Sequence, residues 1–263
     1  MKKSHYQYQD VVEALKNVGL QSGDTVFIHS NIGFYGRMEG ADNADALCNG
    51  FFQALKEVVG PDGTIVVPTF SYSFCHNEEY HVNTTPSGCG MFSEYVRKSG
   101  EVVRSMDANF SIAAWGKLKE YYTKDCAHES FGKDSFWERF LLQRGKILCM
   151  NMDCGSTFVH YLEKCSDVPY RYNKAFNGEM WDQEENYARD YFVHYVYALE
   201  KPEDGPFFGR LDEKCHEQGV CVTASLGKGT MLLMESDVYA NLIFKTLKTE
   251  PYFLTLGGDV DEQ

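Results

Sequence analysis

Positive charge is what this chain is short of. Its 263 residues set 25 Lys and Arg against 38 Asp and Glu, a formal net charge of −13. No stretch gathers the basic residues into the stripe that neutralising a row of phosphates requires, which argues against nucleic acid as a partner. The same balance suits a cationic substrate. Long apolar runs are missing too. None approaches the ~20 residues of a membrane span, and the opening MKKSHYQYQDVVEAL has lysines with no apolar stretch behind them. The expectation is a soluble, cytoplasmic protein with no membrane partner. Nine cysteines, at 48, 75, 89, 126, 149, 154, 165, 215 and 221, include no CxxC pair and are odd in number, so disulfide and paired-zinc frameworks both lack their spacing. Cys75-His76 with His81 and Cys89 is the loop where a metal site, and with it a metal-dependent hydrolase, is conceivable. Otherwise the thiols read as small apolar fillers in a reducing compartment, and no metal is expected. There is no internal repeat and no linker rich in Pro or Ser, which leaves 1–263 as one domain.

What is present is a sequence with material for a core: 43% hydrophobic residues, 18 Phe and 17 Tyr. Asp10–Val18 carries a helical apolar stripe stopped by Gly19. Thr25–His29 reads as a buried strand that ends at Ser30-Asn31 and runs into a loop bearing Gly33, Phe34 and Gly36. Such a loop, followed by a helix over about 41–59, can cradle a phosphate on backbone N–H groups, or can be an ordinary turn. Gly60-Pro61-Asp62-Gly63 turns the chain into a second strand, Thr64–Pro68, ending at Thr69-Phe70-Ser71. Residues 71–90 have no periodicity and suggest an excursion over a site. Val102–Ala114, with Arg104, Ser105, Asp107, Asn109 and Ser111, looks too polar for a core strand, and its density of donors calls for a ligand or a network. Helices are expected over 115–122 and 136–143. Two antiparallel strands follow, from Val168 and over Tyr187–Tyr197. A short helix then covers 211–218, Leu226-Gly227-Lys228-Gly229 makes a tight turn between two strands, and a helix covers 237–247 before an acidic, frayed tail.

The stretch that orders the rest is KILCMNMDCGSTFVHYLE, residues 146–163. Ile147–Met150 is long enough for a buried strand, and Thr157–Glu163 reads as the first turns of a helix. Carboxyl ends of strands are where open α/β sheets place their chemistry, so Asp153, Thr157, His160 and Glu163 form a candidate cluster. Thr157, His160 and Glu163 step by three along one helix surface. An imidazole beside carboxylates holds a defined tautomer and a raised pKa, as a general base near neutral pH requires. A plain helix start, capped by Ser156 or Thr157, is the structural alternative.

Several of these pieces together resemble the aminoglycoside 3-N-acetyltransferase family, which acetylates amines with acetyl-CoA. They are His29-Ser30 with Phe34 and Gly36, and Val59-Gly60-Pro61-Asp62-Gly63-Thr64 leading to Pro68-Thr69-Phe70. Arg104-Ser105 with Ser111, Ala113, Ala114 and Gly116 follows, then Gly145-Lys146-Ile147-Leu148, and above all Asp153 with Thr157 and His160-Tyr161-Leu162-Glu163. The likeness covers about 10–165 and is weaker beyond. It implies a mixed α/β sandwich of the antibiotic N-acetyltransferase type, with a central sheet flanked by helices and an antiparallel C-terminal portion. It also implies a coenzyme A site at Ser30, Asn31, Ile32, Gly33, Phe34 and Gly36 with Arg104, Ser105 and Ser111, and catalysis by His160 oriented by Asp153 or Glu163. The acceptor, a small-molecule amine, is expected against Thr69, Tyr72, Asp107, Thr157 and Tyr170, with about 166–250 contributing. One departure stands out: where the family pattern continues from Arg-Ser to His-Pro, this chain has Asp107-Ala108. That change and the tyrosines of 168–172 point toward sugars of surface polysaccharide as well as aminoglycosides. The expected function is therefore acetyl transfer from acetyl-CoA to a primary amine of an amino sugar or aminoglycoside. The alternative is a catalytically silent coenzyme-A-binding sensor or partner protein. A homodimer is left open.

Overall fold

The computed structural model describes residues 3–259, so the acidic end of the tail, 260–263, lies outside the described residues. Local punctuation sets most of the elements. Helix α1, Tyr8–Asn17, buries Val11, Val12, Ala14 and Leu15, and Gly19 turns the chain at φ 105 into strand β1, Thr25–Ser30. Asn43 opens α2, Ala44–Val59, by accepting from the Ala46 N–H, and the turn at Gly60 delivers β2, Thr64–Pro68. The excursion after β2 contains the two-residue strand β3, Tyr80–His81, and leads to α3, Met91–Lys98.

Two expectations fail in the next segment. The polar stretch 102–114 does hold sheet strands, β4 at Val103–Arg104 and β5 at Ile112–Gly116, because Ile112, Ala113 and Ala114 are fully buried and the polar groups between them bond one another. Trp115 lies within β5 instead of starting a helix. The reversal falls at Gly116, at φ 106, where a side chain would collide with the Gly63 carbonyl, and the helix α4 begins only at Lys119, running to Thr123. Ser135 then caps α5, Phe136–Leu142, followed by β6, Lys146–Met150, and α6, Phe158–Cys165. Strands β7, Arg171–Trp181, and β8, Tyr187–Tyr197, form the expected antiparallel hairpin. Helix α7, Gly209–Glu217, a second hairpin of β9, Cys221–Leu226, and β10, Gly229–Glu235, and helix α8, Ser236–Thr249, complete the chain.

Seven strands make one sheet in the order β4-β5-β2-β1-β6-β10-β9, with β1 parallel to both β2 and β6 and the outer strands antiparallel. Alternation along the strands supplies two cores. Val26, Ile28, Ile65, Val67, Leu148 and Met150 face α1, α2 and α3, while Phe27, Val66, Ile147, Cys149 and Leu232 face α5, α6 and α8. Burying each large side chain of this kind contributes roughly 1.5–3 kcal/mol, so a slip by one residue would turn both faces inside out. Strands β3, β7 and β8 form a second sheet over Phe74, Tyr80, Val82, Met180 and Phe192. The architecture is the expected mixed α/β sandwich, with its antiparallel pairs in the C-terminal portion. Among the described residues, no helix is long and apolar enough to cross a membrane.

Candidate active site

The carboxyl ends of β1 and β6 lie side by side, His29 opposite Cys149 and Ser30 opposite Met150, and their connections leave the sheet to opposite faces. That crevice is where a doubly wound sheet offers its backbone to ligands. His29 stands two residues past Phe27 and so faces α6. Its Nε2 accepts the Thr157 N–H at 3.3 Å and lies 2.9 Å from Ser156 Oγ, which ties the end of β1 to the first turn of α6. Burial, and then the charge of the nearby His160, lower the His29 pKa to about 4, so the ring stays neutral. Its value as a ligand or clamp depends on a contact across two strands far apart in sequence.

One helical turn on, His160 Nδ1 lies 2.8 Å from Glu163 Oε2, and its ring is flanked by Phe131, Tyr197 and Phe208. Nε2 has no hydrogen-bond partner among the described residues, and the side chain is 21% exposed. Glu163 is fully buried. Its Oε1 accepts from the Tyr170 hydroxyl at 2.8 Å and its Oε2 pairs with Arg171 Nη2 at 2.9 Å. Arg171 Nη2 is also 2.8 Å from His160 Nδ1, while its Nη1 donates to the Tyr195 carbonyl. The raised histidine pKa expected from carboxylate neighbours is not found. Burial first and the Arg171 charge second hold His160 below its ordinary value, outweighing the opposing pull of Glu163.

Asp153 does not share this arrangement. Helix α6 begins five residues later, which leaves Asp153 exposed on the preceding loop, where its Oδ1 accepts the Gly155 N–H at 2.9 Å. Of the two candidate carboxylates, Glu163 is the one that meets the imidazole. Tyr170, expected against the acceptor, is buried behind Glu163 and supports it from the far side. Thr157 does stand at the crevice, as the residue before α6, and binds His29 through its backbone.

The residues assigned to the coenzyme divide into two groups. Ser30 to Gly36 follow β1 as a short 3₁₀ turn in which Asn31 and Gly33 are exposed and the Phe34 ring is 75% exposed, while Ile32 packs inward. Arg104, Ser105 and Ser111 lie at β4 and β5, with β5 and β2 intervening before β1. All three are buried and engaged. Arg104 donates to Thr69 O at 2.7 Å, Thr85 O at 2.5 Å and Val82 O at 3.2 Å, and its Nε reaches Thr69 Oγ1 and Ser111 Oγ. Ser105 Oγ accepts the Ile112 N–H. The density of donors noted in the sequence is thus an internal network that fastens the 71–90 excursion to the sheet, and Thr69 belongs to it.

Beyond the Phe131 ring lies a cavity of about 310 Å³ walled by Asp107, Phe110, Asp125, His128, Trp137 and Asp190, among others. Asp107 is held there by the Asn109 and Phe110 N–H groups and by Ser130 Oγ at 2.6 Å, and Asp190 pairs with His128 at 2.9 Å. Tyr72, exposed and at φ 54, packs edge-on against Phe110 beside this cavity. A non-glycine residue in that conformation is costly, and such strain is usually found where a side chain has been aimed. The conceivable metal loop is dispersed. Cys75 Sγ faces His194 and His81 stacks on Trp181, and among the described residues these donors do not converge.

The family described as aminoglycoside 3-N-acetyltransferase matches residues 27–248. A Bacillus subtilis (strain 168) protein, the SPbeta prophage-derived aminoglycoside N(3')-acetyltransferase-like protein YokD, is 29% identical over 186 residues, 62% of this chain and 66% of that one. Aminoglycoside N(3)-acetyltransferase III of Acinetobacter baumannii is 26% identical over 185 residues, 60% of each chain. The matched stretch thus spans less than two thirds of these relatives' length. A solved structure titled "AAC-IIIb binary with CoASH" superposes with a TM-score of 0.78 at 18% identity, covering 92% of this chain and 97% of its own, and shares the fold.

Proposed function

The chain belongs to the aminoglycoside 3-N-acetyltransferase family, and from that premise we propose that it is an acetyl-CoA-dependent N-acetyltransferase acting on a primary amine of an amino sugar or aminoglycoside. The observation that carries the reading is the buried Glu163 carboxylate on Nδ1 of a partly exposed His160. With Nδ1–H given to Glu163, the Arg171 Nη2 approach to Nδ1 is a close contact and not a hydrogen bond, and Nε2 presents its lone pair to the crevice. A depressed pKa keeps that nitrogen unprotonated at neutral pH, and Glu163 stabilises the imidazolium once it forms. His160 then takes the proton from the acceptor nitrogen as that nitrogen adds to the thioester carbonyl. The new C–N bond replaces the C–S bond, and the proton passes to the departing thiolate. No covalent enzyme intermediate is required.

The two substrates approach from different sides. The exposed 31–36 turn is the surface available to the coenzyme, and its backbone lies at the same carboxyl edge as His29. A structural relative was solved with CoASH, which supports the coenzyme as a substrate of this chain. The acceptor side is the wall bearing Asp107, Asp125 and Asp190, whose charge suits an ammonium group, with Tyr72 exposed beside it. Asp107 is the position where the family pattern differs, so the choice between aminoglycoside and other amino sugars rests there.

The test is release of coenzyme A thiol from acetyl-CoA over a panel of aminoglycosides and nucleotide-linked amino sugars, with His160→Ala beside the parent chain. Turnover that disappears in His160→Ala while coenzyme affinity is unchanged is the expected result. Coenzyme binding with no thiol release on any amine would replace the enzyme with the silent sensor.

A further inference from the structure

Away from the His160 crevice, the loop after β6, the end of α7 and the start of β9 bring together Cys154, His216 and Cys221, whose ligand atoms all lie within 4.8 Å of one another. We propose that these three side chains bind a zinc-class divalent ion, with the fourth position open to solvent on the His216 side.

Geometry and donor chemistry both lead there. Cys221 Sγ is 3.4 Å from His216 Nδ1. A sulfur at ~2.3 Å and a nitrogen at ~2.0 Å on one tetrahedral ion are themselves about 3.5 Å apart, so this pair already stands at ligand spacing. The other ring nitrogen, Nε2, faces Asp212 Oδ1 at 3.8 Å, the side from which a carboxylate steadies a metal-bound imidazole. The same Asp212 oxygen accepts the Cys154 N–H at 2.9 Å and fixes that residue's backbone. Two thiols and an imidazole select zinc and its neighbours over magnesium or calcium. Cys154 is fully buried, Cys221 partly so, and His216 is exposed, which leaves an entry path.

On binding, each sulfur gives its proton to solvent, two protons leave per ion bound, and the two thiolates balance its charge. Cys154 lies two residues before Ser156, the partner of His29, so the ion would also brace the loop that leads into α6.

Cobalt(II) is the probe. The full-length chain, stripped with a chelator and kept reduced, is titrated with Co²⁺ and followed for sulfur-to-cobalt charge-transfer absorption and tetrahedral d–d bands. The expected result is one cobalt per chain, displaced by Zn²⁺, with two protons released and Cys221 no longer open to a thiol reagent. His216→Ala, on an exposed helix end, is expected to keep the fold and weaken binding by about tenfold or more, and Cys221→Ser to cut the charge-transfer intensity. Absence of the charge-transfer band, or a band that is the same in both variants, overturns the site. The readout is independent of acetyl transfer.

Discussion

The Tyr170 hydroxyl donates to Oε1 of Glu163 at 2.8 Å, and the oxygen left over, Oε2, is the one that faces His160. A fully buried carboxylate with one free oxygen could rotate; this one is pinned on the far side. Tyr170→Phe removes the pin and leaves Oε1 without its donor, at a cost of about 1–3 kcal/mol in stability. We expect kcat to fall by about tenfold with the KM for acetyl-CoA unchanged, measured by steady-state thiol release beside a thermal melt. An unaltered kcat in a destabilised variant would make Tyr170 a packing residue only.

Glu163 is a positioning residue with two functions, orientation and charge. Glu163→Gln keeps the size and a hydrogen-bonding oxygen but removes the charge that stabilises a protonated His160. A loss of roughly 10²–10⁴-fold in kcat is expected, the usual range for general-base function. The acid limb of the rate profile should also move to lower pH, since the group that raises the His160 pKa has gone. Asp153→Asn, on the exposed loop, should leave both quantities within about twofold, because among the described residues its carboxylate bonds the Gly155 N–H and not His160.

The pH dependence follows from the histidines. His160 sits below its ordinary pKa of 6.5, so kcat/KM should rise with pH through a limb that lies under 6.5. Arg171→Gln removes the neighbouring cation, which raises the His160 pKa and moves that limb to higher pH, whereas Arg171→Lys holds it near its original place. Stability carries the same sign. His29 and His194, both lowered to about 4 mainly by burial, bind protons in the unfolded chain before they do in the folded one. Their contribution is whole above pH 6.5 and is lost as pH falls toward 4, roughly 3 kcal/mol for each. Denaturant melts at pH 7, 5.5 and 4.5 measure it, and a flat profile would contradict the buried neutral state.

What could be read in the sequence was local. The apolar stripe of α1, the turn at Gly60 and the three-residue step from His160 to Glu163 depend on neighbours in the chain, and each falls where the residues direct it. What could not be read was long-range. Arg171 reaches His160 only because the chain reverses after α6, and burial together with that cation outweighs the carboxylate the spacing revealed. His29 meets Thr157 because β1 and β6 are neighbours in the sheet, which no spacing encodes. The polar run 102–114 contained strands because its polar groups satisfy one another, and the pattern of alternation was hidden by that network.

Arg104 offers the sharpest separation between a structural and a ligand-binding role. Its guanidinium crosses from β4 to the carbonyls of Thr69, Val82 and Thr85, so it holds the 71–90 excursion on the sheet, and it is almost fully buried. Hydrogen bonds from a charged donor contribute about 1.5–3 kcal/mol each, and Arg104→Met abandons several buried carbonyls at once. A loss of at least about 3 kcal/mol is expected, with cleavage by a limited protease appearing first within 71–90 as that segment detaches. The affinity for coenzyme A, measured by calorimetry below the lowered melting point, should stay within about twofold, because no donor of Arg104 is turned toward the crevice. A tenfold loss of coenzyme affinity in a chain that still melts cooperatively would return Arg104 to the ligand.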